Sequence, residues 1–151
     1  MSYYYIKVTF FKDISKISYI ISCEPLPVLN SPIELTISDY IRGNEPIHRY
    51  KTLNYYQNLI SGESIIKDHK NRILETGYAN IFVQLEDKIF TPPAYLPILP
   101  GTFRQYLLNM GEYNGYKIME KELFVEDIDL FDKVYITNSL RGIIPISKII
   151  R

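Results

Sequence analysis

The sequence predicts an α+β fold with a largely antiparallel or mixed sheet and flanking helices, and three observations support this prediction. Apolar residues alternate with polar ones through much of the first forty residues, which is the period of a β-strand. Two later segments carry apolar residues at helical spacing. Strands and helices are interspersed without a regular strand–helix–strand alternation, which favours the α+β class. A chain of 151 residues suits one domain with its own core.

Three strands are predicted in the first forty residues, with a turn that begins at Lys12 and Asp13. Each strand carries an apolar residue at every second position, so that one face of each strand is apolar. We expect these strands to form an antiparallel meander. The apolar positions are Ile6, Val8 and Phe10 in the first strand, Ile17, Tyr19 and Ile21 in the second, and Ile33, Leu35 and Ile37 in the third.

Two helices are predicted. The first runs from Leu53 to about Lys70, although Gly62 weakens its middle. The second runs over residues 102–114 and ends at Gly115, with Tyr106, Leu107 and Met110 facing inward. The other predicted elements are strands at 73–74, 80–85, 88–91 and 118–123, a short acidic helix at 125–131, and strands at 133–139 and 143–150.

Composition and charge exclude several classes of protein. Seventeen basic residues balance seventeen acidic ones, so nothing points to a nucleic-acid partner. No apolar run is long enough to span a bilayer, and the N-terminus lacks the pattern of a signal peptide. Cys23 is the only cysteine, and His48 and His69 lie apart without a cysteine companion, so we expect no disulfide and no metal site. These features favour a cytoplasmic location.

Five short segments carry the functional signal. In chain order they are KTLNYY at residue 51, ETGYANIF at 75, TPP at 91, LPGTFR at 99 and ITNSLRGIIPI at 136. Together they resemble the fold-type IV pyridoxal-phosphate enzymes, which include branched-chain and D-amino-acid aminotransferases and aminodeoxychorismate lyase. The resemblance covers about residues 3–150. It implies one cofactor-binding domain over 1–151, like the large domain of D-amino-acid aminotransferase, with mixed, mostly antiparallel strands in a barrel-like arrangement.

The resemblance implies pyridoxal 5'-phosphate as the cofactor and assigns its covalent attachment to Lys51. A lysine amine can bond to the cofactor's aldehyde and then move a proton at the substrate carbon. We expect Lys51 to lie at a strand end and face into a cofactor cleft. Glu75 matches the carboxylate beside the ring nitrogen, where it keeps that nitrogen protonated. Tyr55 matches a tyrosine near the ring hydroxyl in branched-chain aminotransferases, although a core tyrosine is an alternative. Asn80 matches an asparagine that we interpret as support for its neighbours.

The phosphate group is expected at LPGTFR. A glycine turn into a helix N-terminus offers free N–H groups and a favourable dipole to an anion. The resemblance assigns Gly101, Thr102, Phe103 and Ser139 to this group. Thr102 replaces the family's usual isoleucine and Phe103 its common threonine, so a hydroxyl contact is expected to be lost or moved to Thr102. Arg104 is interpreted as a helix-face arginine and not as a ligand.

Enzymes of this group begin with a second, smaller α/β domain, and this sequence begins where that domain should end. We therefore expect the small domain to be missing, and the sequence leaves open whether the chain is a fragment or a natural short protein.

The expected partners are a small amino substrate and a second copy of the chain, in a homodimer weakened or altered by the missing domain. A lyase that forms 4-aminobenzoate for folate synthesis is favoured. The alternatives are an aminotransferase for branched-chain or D-amino acids and a non-catalytic remnant.

Overall fold

The computed structural model describes residues 3–28, 32–54 and 56–151, and the chain divides into two compact units. The first unit covers residues 1–31 and contains strands β1 (Tyr4–Lys12) and β2 (Ile17–Pro25). The second unit covers residues 32–151. A single cofactor-binding domain over 1–151 stays a prediction.

Strands β1 and β2 form an antiparallel hairpin, as the alternation predicted. Their register pairs Tyr4 with Pro25 at one end and Lys12 with Ile17 at the other. The turn is closed by a hydrogen bond from the Asp13 amide to the Lys16 carbonyl, with N···O 2.9 Å. One face of the hairpin is apolar and exposed, and it carries Tyr4, Ile6, Val8, Phe10, Tyr19 and Ile21.

In the described residues, the second unit contains the other ten strands and the helices. These are β3 (Glu34–Arg42), a 3₁₀ turn (Pro46–Arg49), α1 (Tyr56–Ser61), β4 (Ser64–Asp68), β5 (Ile73–Thr76), β6 (Asn80–Leu85), β7 (Lys88–Thr91), α2 (Thr102–Met110), β8 (Glu112–Tyr113), β9 (Tyr116–Glu120), a second 3₁₀ turn (Val125–Leu130), β10 (Lys133–Asn138), β11 (Gly142–Ile146) and β12 (Lys148–Ile150).

The ten strands form one mixed sheet, so the α+β class is confirmed. Its hydrogen-bonded path runs β12–β3–β4–β5–β6–β7–β9–β8, with β10 paired to β6 and β11 paired to β10. The pairs β12–β3, β3–β4 and β7–β9 are parallel, and the other described pairs are antiparallel. The predicted three-stranded meander is wrong at its third strand, because the described partners of β3 are β4 and β12, both parallel to it.

The first predicted helix is too long. Helix α1 covers only Tyr56–Ser61, and Gly62 follows it with φ +48°, a left-handed conformation that ends a helix. The chain then enters strand β4, in which Ile65 and Ile66 are both fully buried. Consecutive buried residues are typical of a strand that is covered on both faces. Spacing alone therefore misassigned this strand to the helix.

The second predicted helix begins at Thr102 as expected and ends four residues early. Gly111 has φ +75° and its amide bonds to the Leu107 carbonyl, which terminates α2 at Met110. Leu107 is buried as predicted, but Tyr106 and Met110 are about half exposed. The second buried side chain of α2 is Arg104.

Among the described residues, two apolar clusters contribute to the core of the second unit. One consists of Ile66, Leu74, Leu96 and Ile98. The other lies between the sheet and α2 and consists of Phe82, Ile89, Leu107 and Ile118, with Phe103 packed against it. No helix in the described ranges is long and apolar enough to cross a membrane.

Candidate functional site

The candidate site lies at one edge of the sheet, where several strands begin or end. Glu75 near the end of β5 pairs directly across with Asn80 at the start of β6. Thr76 shapes the turn between them, because its hydroxyl accepts a hydrogen bond from the Ala79 amide at 3.1 Å. This tight turn explains the five-residue spacing of Glu75 and Asn80 in ETGYANIF. Thr137 of β10 pairs with Asn80, so Ser139 follows at the same edge.

Glu75 is a buried carboxylate held by three donors. Its Oε1 accepts from Arg42 Nη1 at 2.5 Å, and its Oε2 accepts from Asn80 Nδ2 at 3.2 Å and from the Leu99 amide at 3.1 Å. Burial raises the pKa of Glu75 to about 7, although the charge of Arg42, the Leu99 amide and the charge of Lys51 all act to lower it. The carboxyl group is thus poised near neutrality.

Asn80 connects Glu75 to the segment that leads into α2. Its Nδ2 donates to the Leu99 carbonyl at 2.8 Å as well as to Glu75. Its Oδ1 lies directly against Gly101, where a Cβ would stand 2.3 Å from that oxygen. Residue 101 must therefore be glycine for the backbone to approach Asn80 this closely. The interpretation of Asn80 as a supporting residue agrees with these contacts.

The start of α2 brings two hydroxyl groups together. Gly101 has no side chain to cap the helix, and no side-chain cap hydrogen bond is present there. Thr102 Oγ1 and Ser139 Oγ lie 2.6 Å apart, and both side chains are exposed. Uncapped N–H groups at a helix start beside two hydroxyls are chemically suited to an anion. Two of the five motifs therefore meet at one point.

Phe103 contributes packing in addition to its backbone. Its ring lies under Gly142, where a Cβ would stand 3.4 Å from Cζ, and it contacts Tyr106 with 5.6 Å between ring centroids. Gly142 itself has φ +68°, which favours glycine. The ring thus holds the end of the β10–β11 turn, which follows Ser139, against α2.

Lys51 occupies a loop, so the expectation of a strand end is wrong. Strand β3 ends at Arg42, and Pro46, which lacks an N–H donor, begins a 3₁₀ turn that ends two residues before Lys51. The Lys51 side chain is exposed, and its charge acts on Glu75. Tyr55, the other residue assigned from this motif, lies outside the described residues.

Arg104 is buried and paired on the helix. It is 1% exposed, forms an ion pair with Glu120, and donates to the Pro92 carbonyl at 2.7 Å. These contacts agree with its interpretation as a packing residue.

Arg42 is the site residue that sequence reasoning missed. In the predicted third strand the apolar residues are at odd positions 33, 35 and 37. This pattern would place residue 42, at an even position, on the opposite face. A register shift between Ile37 and Ile41 changes the face, and Ser38 and Arg42 are buried instead. The sequence of β3, ELTISDYIR, mixes polar and apolar residues and gives no separate indication that its final arginine is buried.

Comparison with known proteins gives a consistent family. The family model for amino-transferase class IV matches residues 2–149. An aminodeoxychorismate lyase of Vibrio harveyi is 30% identical over 87 residues, which is 58% of this chain and 32% of that protein. A chloroplastic branched-chain amino acid aminotransferase of Humulus lupulus is 26% identical over 133 residues, 79% of this chain and 33% of that protein.

Solved structures share the fold. A crystal structure of a Brucella abortus aminotransferase bound to pyridoxal phosphate superposes with a TM-score of 0.77 at 20% identity and covers 89% of this chain. The match spans 53% of that chain. This chain thus spans about a third of the curated relatives and about half of the solved structure.

Proposed function

The chain belongs to the class IV aminotransferase family, and from this premise we propose that it binds pyridoxal 5'-phosphate through Lys51 and acts on a small amino substrate. Pyridoxal phosphate is the cofactor of this family, and the Brucella abortus enzyme holds it. The observation that carries the proposal is that the same edge of the sheet holds both a buried carboxylate, Glu75, and the Thr102–Ser139 hydroxyl pair. These groups suit a ring nitrogen and a phosphate respectively.

The acceptor count at Glu75 supports this fit. A carboxylate has about four acceptor positions, and three donors are present here. One position is left for a ring N–H donor. When bound, pyridoxal phosphate supplies an electron sink for charge at the substrate's α-carbon. The ionised Glu75 carboxylate keeps the ring nitrogen positive and so strengthens that sink.

The other assigned residues have distinct roles in this proposal. The amides of Thr102 and Phe103 and the hydroxyls of Thr102 and Ser139 bind the phosphate, and Gly101 allows the turn. The Lys51 amine holds the cofactor's aldehyde carbon, and once freed it moves the proton of the substrate α-carbon. Tyr55 is proposed beside the ring hydroxyl.

For the reaction itself we propose an aminodeoxychorismate lyase activity, the elimination of pyruvate to give 4-aminobenzoate. The 30% identity to the Vibrio harveyi lyase and the TNSLRGIIPI segment favour it. An aminotransferase is the second candidate, favoured by the longer match to the Humulus lupulus enzyme. The expected assembly in either case is a homodimer.

Reduction of the bound cofactor tests the cofactor proposal. The protein is loaded with pyridoxal phosphate, reduced with borohydride, freed of excess cofactor and weighed by mass spectrometry. We expect one covalent adduct on wild type and none on Lys51→Ala. Lys70→Ala, which removes another exposed lysine of the same unit, is the matched control and should be labelled like wild type. Labelling of Lys51→Ala at the wild-type level would show that Lys51 is not the residue that binds the cofactor covalently.

A single-turnover experiment separates the two reactions. An aminotransferase leaves the cofactor in its amine form after one amino donor has reacted, whereas a lyase restores the aldehyde. The visible spectrum after addition of aminodeoxychorismate, and separately of leucine, distinguishes them. Conversion to the amine form by leucine, together with no release of 4-aminobenzoate from aminodeoxychorismate, would favour the aminotransferase.

A further inference from the structure

We infer that Arg42 is a positioning residue that holds the Glu75 carboxylate in its ionised form and orients the oxygen that receives the cofactor's ring nitrogen. This inference deepens the proposed function and rests on it. It concerns a residue outside the five motifs, contributed by the last position of β3.

Geometry singles out this pair. Arg42 is 1% exposed and Glu75 is 5% exposed, and Nη1 lies 2.5 Å from Oε1. The same Nη1 donates to the Pro97 carbonyl at 3.0 Å, which fixes the guanidinium between β5 and the segment that precedes α2. In the described part of the chain, Glu75 is the only carboxylate within ion-pair distance of Arg42. A buried cation needs such a partner, and Glu75 supplies it.

The distribution of donors identifies the oxygen that remains open. Oε2 accepts from both Asn80 and the Leu99 amide, and Oε1 accepts only from Arg42 among the described groups. Each carboxylate oxygen can accept about two hydrogen bonds. The open position is therefore on Oε1, and Arg42 and the ring nitrogen share that atom.

Charge gives Arg42 its effect on the cofactor. Burial favours the neutral form of Glu75, and Arg42 is the strongest of the groups that favour the anion. Lys51 is the other charged group that acts on Glu75, and the titratable groups that face Arg42 are Tyr40 and His48. Without Arg42, the one proton shared by Glu75 and the ring nitrogen moves to the carboxyl oxygen. The ring nitrogen would then be neutral, and the proton it loses is the one that the carboxyl oxygen gains.

Arg104 provides a matched control. It is equally buried, it pairs with Glu120 and a proline carbonyl, and its Nε also lacks a hydrogen-bond partner among the described residues, as does that of Arg42. Arg104→Gln should therefore disturb packing as much as Arg42→Gln while leaving the Glu75 charge alone.

Two spectroscopic readouts test the inference without reference to activity. In the cofactor-free protein, carbon-13 NMR of labelled glutamate follows the titration of Glu75. In the protein loaded with nitrogen-15-labelled pyridoxal phosphate, the nitrogen shift reports whether the ring nitrogen is protonated. We expect Arg42→Gln to raise the Glu75 midpoint by about 1 to 3 pH units and to convert the ring nitrogen to its neutral form at neutral pH. Arg104→Gln should behave like wild type in both.

The outcomes are distinguishable. If wild type binds no cofactor at Lys51, the proposed function fails, and the inference fails with it. If wild type binds cofactor and Arg42→Gln leaves both readouts unchanged, the inference alone is overturned. Should Arg42→Gln not fold, Arg42→Lys replaces it. The shorter lysine cannot keep the planar contact to Glu75 and the Pro97 carbonyl, so a smaller shift in the same direction is expected, and no shift overturns the inference.

Discussion

Two buried arginines, Arg42 and Arg104, make the same kinds of contact, but the glutamates that they pair with differ in exposure. Each donates to a proline carbonyl and forms an ion pair with a glutamate. The Glu75 side chain is 6% exposed and that of Glu120 is 43% exposed. Burial raises the pKa of Glu75 to about 7, whereas hydrogen bonds from Arg104 and the Ala94 amide outweigh burial and lower the pKa of Glu120. The same kind of ion pair therefore accompanies a carboxyl group with a raised pKa in the interior and one with a lowered pKa at the surface.

The largest expected difference lies in the loss of each arginine. Arg42→Met should reduce the free energy of unfolding by about 3–5 kcal/mol, because it breaks a buried ion pair and Glu75 must then take up a proton or stay charged without its partner. Arg104→Met should cost about 1–3 kcal/mol, since Glu120 can turn to water. Urea unfolding of the cofactor-free protein measures both values. Equal losses would show that the exposure of the carboxylate does not matter.

The pH dependence of stability sharpens the comparison. The folded pKa of Glu75, about 7, is above its unfolded value of 4.5, so its contribution to stability is present below 4.5 and is lost as the pH rises through 7. The change is about 3 kcal/mol over that interval. Glu120 has the opposite sign, because its pKa is lowered and its contribution is lost as the pH falls.

Glu75→Gln should remove the fall in unfolding free energy between these two pH values, and Glu120→Gln should leave that fall in place. Urea unfolding at a series of pH values measures the slope for each variant. A slope in Glu75→Gln that matches wild type would show that Glu75 does not titrate in this range.

The smallest effect concerns the other oxygen of Glu75. A methyl group at Gly101 would collide with Asn80 Oδ1, so Gly101→Ala should cost about 1–3 kcal/mol by displacing Asn80 from Glu75. Asn80→Ala removes the obstacle. The double variant should therefore be more stable than the sum of the two single losses predicts, as a double-mutant cycle measures. Additive losses would mean that the methyl group is accommodated elsewhere.

Sequence reasoning predicted the parts of the site that depend on local geometry. The spacing of Glu75 and Asn80 follows from one tight turn, and the α2 N-terminus follows from Gly101. Arg42 could not be predicted, because a register shift in β3 moved it to the buried face. The length of α1 was wrong because a glycine in a left-handed conformation and the burial of β4 depend on the tertiary fold. The cofactor-binding and catalytic roles of all the assigned residues stay predictions; these residues are Lys51, Tyr55, Glu75, Gly101, Thr102, Phe103 and Ser139.

The pairing of β12 with β3 has a consequence for synthesis on the ribosome. Lys148 pairs with Glu34 in parallel, so strands more than a hundred residues apart in the chain are neighbours in the sheet. Strand β3, which carries Arg42, keeps one edge open until residues 148–150 have left the exit tunnel. Until then that edge of β3 is unpaired, and an unpaired strand edge can pair with another chain.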